Sequence, residues 1–277
     1  MVVRFYFLTS EIVPFAETYE LATFSKEFPN VFIERKNDFR VMMPKYEFIS
    51  ERRYILREVI RLRSMNVQFM GTELKAAVKS AFIPNTKVQV YFLENKDYFS
   101  PEDPEKLYEE GEGENNKNYN KFGYFAVSSL TTLEYLRWKP EVIICNDWQM
   151  GLIPVYLRMG LIDNNFAKDA KIVLFVHSKS EKSLYPISFF ERLGVKDIDE
   201  KCIVEGFVDV SLLAMKLVDE IIFVDIDGTN PYGLYNKESS FKKVVKGKCV
   251  HKFSIKDMED PDEWQEIADN FIKIFEK

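Results

Sequence analysis

The spacing of apolar and polar residues changes character several times along the chain, and the changes outline alternating strands and helices. Val2 to Leu8 is a short run of β-branched and aromatic residues, as in a strand buried on both faces. Residues 20 to 29 have helical spacing, and Pro29 is expected to stop that helix. Phe39-Arg40-Val41-Met42-Met43-Pro44 predicts a second strand closed by its proline. From Glu51 to Arg63, Ile55, Val59, Ile60 and Leu62 recur at roughly helical intervals, so a helix is expected there. Strand-like pieces follow around Val67 to Met70, Ala76 to Ile83 and Lys87 to Leu93. They lie too close together for crossover helices, which predicts an antiparallel meander.

Pro101 to Asn118 is acidic, contains glycine and is nearly free of apolar residues; it reads as a solvated surface loop without the ligand spacing of a metal site. The clearest amphipathic helix is residues 122 to 136, with Phe122, Phe125, Ala126, Ser129, Leu130, Leu133 and Leu136 along one face. Beyond it the pattern predicts strand Val142 to Cys145, helix Gly151 to Met159 and strand Lys171 to Val176. A long apolar helix over about Val204 to Val218 and strand Glu220 to Val224 come next. That alternation implies parallel βαβ units. The tail from Asp225 is weaker, with turn signals at Gly228, Pro231 and Gly233, and a final amphipathic helix runs from about Pro261 to Phe275. No internal repeat or low-complexity tract interrupts this order. The fold class is α/β, with an added antiparallel meander.

Composition narrows the class. The 277 residues are 46% hydrophobic and include 24 Phe, ample for a large core, and the length fits one large domain or two small ones. A net charge of −6 disfavours a nucleic-acid partner, and no apolar run is long enough for a membrane span. The N-terminus lacks the basic start, apolar stretch and cleavage site of a signal peptide. Cys145, Cys202 and Cys249 are far apart with no Cys-x-x-Cys pair, which fits a reducing, cytoplasmic setting. Cys145, inside Val142-Ile143-Ile144-Cys145, reads as a small buried hydrophobe. The chain has no Gly-x-Gly-x-x-Gly, no phosphate-binding Gly-x-x-x-x-Gly-Lys-Ser/Thr and no Gly-x-Ser-x-Gly. With only His177 and His251, most histidine-based metal arrangements are excluded, and no metal or cofactor is expected.

Three places remain for chemistry. After the first strand comes Ser10-Glu11-Ile12-Val13-Pro14-Phe15-Ala16-Glu17-Thr18-Tyr19-Glu20-Leu21-Ala22, at the turn where an α/β sheet offers backbone amides to a ligand. A phosphate cradle there needs glycines and a cation. This turn instead carries Glu17, Glu20 and the bulky Tyr19, which argues against an anion. Asn146-Asp147-Trp148-Gln149 closes another strand; Asp147 either orients a ligand hydroxyl or caps the following helix, capping being the stronger expectation, and Trp148 is expected to pack in the core. His177 ends the run Ile172-Val173-Leu174-Phe175-Val176, where it either meets a ligand or hydrogen-bonds a neighbouring loop.

At these residues the chain resembles the N-terminal half of bacterial glycogen and plant starch synthases. The family block Ser-Glu-Val-x-Pro-Phe-x-Lys-Thr-Gly-Gly-Leu-Ala-Asp aligns without a gap with Ser10 to Thr23. Met43-Pro44-Lys45-Tyr46, Val90-Tyr91-Phe92-Leu93-Glu94-Asn95 with Tyr98-Phe99, and Trp138-Lys139-Pro140 through Gly151-Leu152-Ile153-Pro154 match further family motifs, and His177 falls on the histidine of its His-Asn pair. The resemblance covers roughly residues 3 to 225. It implies a Rossmann-like, mostly parallel sheet with helices on both faces, the first half of a GT-B glycosyltransferase. It also implies a single such domain over 1–277 with its core in about 1–225, an extension over 226–277, and no second GT-B domain.

Family enzymes transfer glucose from ADP-glucose to an α-1,4-glucan without a metal. The family-equivalent substrate positions here are Glu17, Thr18, Tyr19, Glu20, Asp147 and His177, the last at the position of the family's catalytic histidine. The departures fall on those positions: Glu17 replaces the family lysine, Tyr19 and Glu20 its two glycines, Thr23 its aspartate and Ser178 its asparagine. The resemblance therefore implies a glycogen-synthase-like protein, a pseudoenzyme without autonomous transfer that acts by binding an α-glucan or a partner. Two alternatives stay open: the acceptor-side half of a split glucosyltransferase, paired with a second glycosyltransferase domain, and a pure interaction module that self-associates.

Overall fold

In the computed structural model, which describes residues 3–101, 103–109 and 117–275, the first apolar run becomes β1 (Arg4–Leu8). Its side chains alternate between two faces. Phe5 and Phe7 meet Phe32 and Phe28 of α1 (Leu21–Glu34), with ring centroids 5.2 and 6.1 Å apart. Tyr6 points the other way, and its hydroxyl donates to the Ser129 carbonyl at 3.0 Å. The helix does not stop at Pro29 as expected; it runs on to Glu34. An interior proline costs about 3 kcal/mol. Burial of Phe28, Val31 and Phe32, at roughly 1.5–3 kcal/mol each, outweighs that cost.

β2 (Asp38–Pro44) pairs with β1 in parallel. The helix expected over Glu51 to Arg63 is not formed. Ser50 caps a single turn, α2 (Glu51–Tyr54), which Ile55 ends at a left-handed φ of 53°. β3 (Arg57–Glu58) and a 3₁₀ turn at Ile60–Leu62 follow, because Val59 donates its amide to Val78 in a neighbouring strand instead of to its own turn. Ile55 and Ile60, two of the residues at helical spacing, are 66% and 79% exposed. The meander is present as expected: β4 (Met65–Phe69), β5 (Thr72–Phe82) and β6 (Gln89–Glu94) are successively antiparallel, and β6 returns parallel to β2. β3 closes this side of the sheet with exposed Arg57 and Glu58, charges that blunt a free edge.

The acidic run is not uniformly solvated. Leu107 is fully buried and Tyr108 half-buried; residues 102 and 110–116 of that expectation lie outside the described residues. α3 (Asn118–Leu136) is buried on nearly all sides rather than amphipathic, because β4 and the chain around Phe189 cover the face that the periodicity left polar. A Cβ on Gly123 would sit 3.0 Å from the Phe189 ring and 3.1 Å from that of Phe69.

The parallel half continues with β7 (Val142–Asn146), α4 (Leu152–Arg158) and β8 (Lys171–Val176), close to expectation. A small antiparallel sheet follows, formed by β9 (Leu184–Pro186), which leads into α5 (Ile187–Leu193), and by β10 (Ile203–Val204) and β11 (Phe207–Asp209). The long helix expected over Val204 to Val218 therefore divides. Glu205 and Gly206 turn the chain at φ 52° and 85°, and only α6 (Val210–Leu217) is helical, capped by Asp209.

β12 (Glu220–Ile226), α7 (Pro231–Tyr235), α8 (Ser239–Val244), β13 (Cys249–Ile255) and α9 (Pro261–Phe275) complete the described chain. β13 was not foreseen, yet it pairs with β12 over its whole length. The large sheet has ten strands, ordered β13-β12-β8-β7-β1-β2-β6-β5-β3, with β4 on β5. α1 and α9 pack together on the Phe5 face, with Phe271 5.3 Å from Phe28 and 5.7 Å from Phe32. On the Tyr6 face α3 packs on α4 and α4 on α6. Cys145 is buried in β7, as its apolar run implied. Among the described residues, no helix is long and apolar enough to cross a membrane.

Candidate functional site

The chain leaves β1 toward β2 and β6 and returns on the other side of β1 to build β7 and β8. The strand order thus reverses at β1 and β7, and an open α/β sheet presents its ligand crevice there, outside the carboxyl ends. Three loops meet at this point: Thr9 to Glu20 after β1, Asp147 to Met150 after β7, and His177 to Lys182 after β8.

Asp147 is the centre of the arrangement. It is 1% exposed and its carboxylate accepts four hydrogen bonds. The Tyr19 hydroxyl donates to Oδ2 at 2.8 Å and Ser178 Oγ to the same atom at 2.5 Å. The backbone amides of His177 and Ser178 donate to Oδ1 at 3.3 and 3.2 Å. Capping, the stronger expectation from sequence, is not made: Asp147 stands at the head of a 3₁₀ turn but bonds none of its amides through the side chain. Its φ of 58° is costly for a residue with a Cβ, on the order of 1–3 kcal/mol, and its amide bond to Phe175 of β8 and its carboxylate bonds to His177 and Ser178 just beyond hold it there. Burial pushes its carboxyl up to about 6, against the lowering effect of the Ser178 and Tyr19 bonds.

A second buried acid, Glu11, lies where the loop leaves β1. It accepts from the Thr18 amide, from Thr18 Oγ1 at 2.7 Å and from the Tyr108 hydroxyl. Burial raises its carboxyl to about 7, more than those hydrogen bonds lower it. Tyr108 also meets Ser10 Oγ at 2.8 Å, so the described part of the acidic run is tied to the loop after β1. The Tyr19 and Tyr108 rings lie edge to face with centroids 6.5 Å apart, and Gln149 Nε2 donates to the Tyr19 hydroxyl at 3.1 Å.

His177 is 6% exposed, with its ring 4.7 Å from that of Phe24. Nε2 lies 3.4 Å from Asn146 Oδ1, and Nδ1 has no hydrogen-bond partner among the described residues. Burial lowers its pKa to about 3, so the imidazole is neutral at physiological pH. It can exchange one hydrogen bond at Nδ1 but cannot supply a positive charge.

The expected site residues divide into two groups. Tyr19, Asp147 and His177 come together in one buried network, and Thr18 joins Glu11. Glu17 and Glu20 are exposed on the turn, and their side chains make no hydrogen bond or ion pair among the described residues. Trp148 packs, as expected, with its ring 5.3 Å from Tyr108 and 5.5 Å from Phe122. Glu11, Tyr108 and Gln149 were not foreseen as site residues. The available signals were an acid among apolar neighbours right after a strand, and the Leu107-Tyr108 pair within a polar run. Beside the network opens a cleft of about 410 Å³ lined by Tyr19, Tyr108, Trp148, Gln149, Lys179 and Lys182, among others. Lys179 is ion-paired with Glu238. Among the described residues no group of acids, histidines and cysteines is arranged to hold a metal ion.

Three comparisons bear on this geometry. The family model of the starch synthase catalytic domain matches residues 4–225. A glycogen synthase of Chlorobium phaeobacteroides is 30% identical over 278 aligned positions, covering 96% of this chain and 55% of that protein. The glycogen synthase of Chlorobium luteolum is 35% identical over 194 positions, 69% of this chain and 39% of its own length. The chain thus spans about half the length of the curated relatives it matches. The fold is also that of the catalytic domain of starch synthase IV from Arabidopsis thaliana, solved with ADP and acarbose. Its TM-score is 0.69 at 16% identity, with 91% of this chain and 51% of that one covered.

Proposed function

The chain belongs to the starch synthase catalytic domain family, and from that membership we propose that it serves α-1,4-glucan metabolism by binding glucan, without itself transferring glucose from ADP-glucose. The observation that carries this reading is the bond from Tyr19 to Asp147. Where the family loop has a lysine and two glycines, this loop has Glu17, Tyr19 and Glu20, and the tyrosine hydroxyl donates to the buried Asp147 carboxylate while its ring lines the cleft. A diphosphate brought to this turn meets acids in place of a cation. One unit-charge pair at 4 Å is worth roughly 4 kcal/mol at an effective dielectric of about 20, so replacing attraction with repulsion removes the stabilisation that transfer needs. An uncharged oligosaccharide has no such conflict. It gains ring contact with Tyr19 and Tyr108 and hydrogen bonds with Gln149 along the cleft.

Incubation of the purified chain with radiolabelled ADP-glucose and glycogen tests this. The expected result is no incorporation above background; label in the glucan from the chain alone overturns it. The retention of Asp147 and His177 at family positions supports a second reading, the acceptor-side half of a split glucosyltransferase. Co-expression with a donor-domain protein decides that reading: a stable, active complex supports it, and neither complex nor activity removes it.

A further inference from the structure

A second cleft, of about 400 Å³, opens between the β4–β5 turn, the loop after β6 and the first turn of α3. Phe69, Met70 and Tyr98 give it apolar walls, and Lys121 lies among its lining residues. Lys121 is 6% exposed, an unusual degree of burial for a lysine. Its Nζ donates to the Leu107 carbonyl at 2.7 Å, and among the described residues it has no ion pair. An ammonium carries three donors, so two are left without an acceptor among the described residues. Burial lowers its pKa to about 8, against the raising effect of Glu109. A buried lysine with a neutral fraction near physiological pH is a nucleophile.

We propose that Lys121 is a covalent modification site, an amine that takes a small acyl group from an acyl phosphate entering this cleft. The neutral Nζ attacks the acyl carbon. A C–N bond forms, the bond from that carbon to the phosphate oxygen breaks, phosphate leaves with the electron pair, and the surplus amine proton passes to water. Nothing is oxidised or reduced. The acyl end suits Phe69, Met70 and Tyr98, and the phosphate end suits Lys117, which lines the same cleft one helical turn before Lys121. Asp97 and Glu109 are the acids lining it, and Glu109 favours the protonated amine.

The test is incubation of the folded chain with acetyl phosphate between pH 7 and pH 10, with site occupancy read by peptide mass spectrometry. The exposed Lys242 and Lys243 serve as internal references. At pH 8 about half of Lys121 is neutral, against under about 1% of an ordinary lysine with a pKa near 10.4. Acetylation of Lys121 is expected to run at least about tenfold ahead of the references at pH 8. It should level off above that pH while theirs keeps rising, and lose its lead in urea. Acetylation no faster than at Lys242 and Lys243, or a lead that persists in urea, overturns the proposal.

Discussion

Replacing Tyr19 with phenylalanine keeps the ring beside Tyr108 and removes the hydroxyl on Asp147. Asp147 then retains Ser178 Oγ and two backbone amides but loses one of four donors. A hydrogen bond to a charged group contributes about 1.5–3 kcal/mol, and one between neutral groups about 0.5–1.5. The cost of Tyr19→Phe must therefore depend on whether Asp147 is ionised. In the natural chain its carboxyl is raised from 3.8 to about 6 by burial, so it is mostly protonated at pH 5 and ionised at pH 8. A raised acid stabilises the fold below its unfolded value, and that contribution is lost as pH climbs through the folded value. Without the tyrosine the folded value rises further, by about 0.4–1.5 units for the roughly 0.5–2 kcal/mol by which the bond to the ionised acid exceeds that to the protonated one, and the loss with pH deepens. Urea unfolding at pH 5, 6, 7 and 8 is expected to give a penalty near 1 kcal/mol at pH 5 that grows to about 1.5–3 at pH 8. Tyr54→Phe, which removes a hydroxyl donating to the Pro14 carbonyl at 2.8 Å, should show no such slope. An equal penalty for Tyr19→Phe at pH 5 and pH 8 would refute the reasoning.

Glu11, raised from 4.5 to about 7, contributes about 3 kcal/mol of stability that is present below its unfolded value and lost as pH rises through 7; Glu11→Gln should flatten denaturant stability between pH 5 and pH 8, and an unchanged slope counts against the burial argument. Phe271→Ala removes the ring that joins α9 to α1 and the sheet and is expected to cost about 3–5 kcal/mol in urea unfolding; a cost under about 1 kcal/mol would mean that α9 is not part of the cooperative core. Converting the loop by Glu17→Lys with Tyr19→Gly and Glu20→Gly removes the Tyr19 side chain and inverts a charge, so ADP affinity in equilibrium dialysis should rise at least about tenfold, about 1.4 kcal/mol; no change would separate the loop from anion binding.

Much of the architecture was legible because buried parallel strands are continuous apolar runs. Lys171 to Val176 and the amphipathic stretch Pro261 to Phe275 could be read with their boundaries. Periodicity failed where tertiary contacts chose the conformation. Ile55 and Ile60 kept helical spacing, yet pairing of Val59 with Val78 pulled the segment into an edge strand. The apolar run before α6 hid a hairpin because Glu205-Gly206 alone carried the turn. The positions of Asp147 and His177 were readable as strand ends. Glu11 and Tyr108 were not, since their contact joins residues 97 apart in sequence and no local pattern encodes it.

Isothermal titration of the natural chain with maltoheptaose, repeated with ADP-glucose, tests the central claim most directly. Saturable heat with maltoheptaose and none with ADP-glucose is the expected result. Binding of ADP-glucose with no response to maltoheptaose would contradict it.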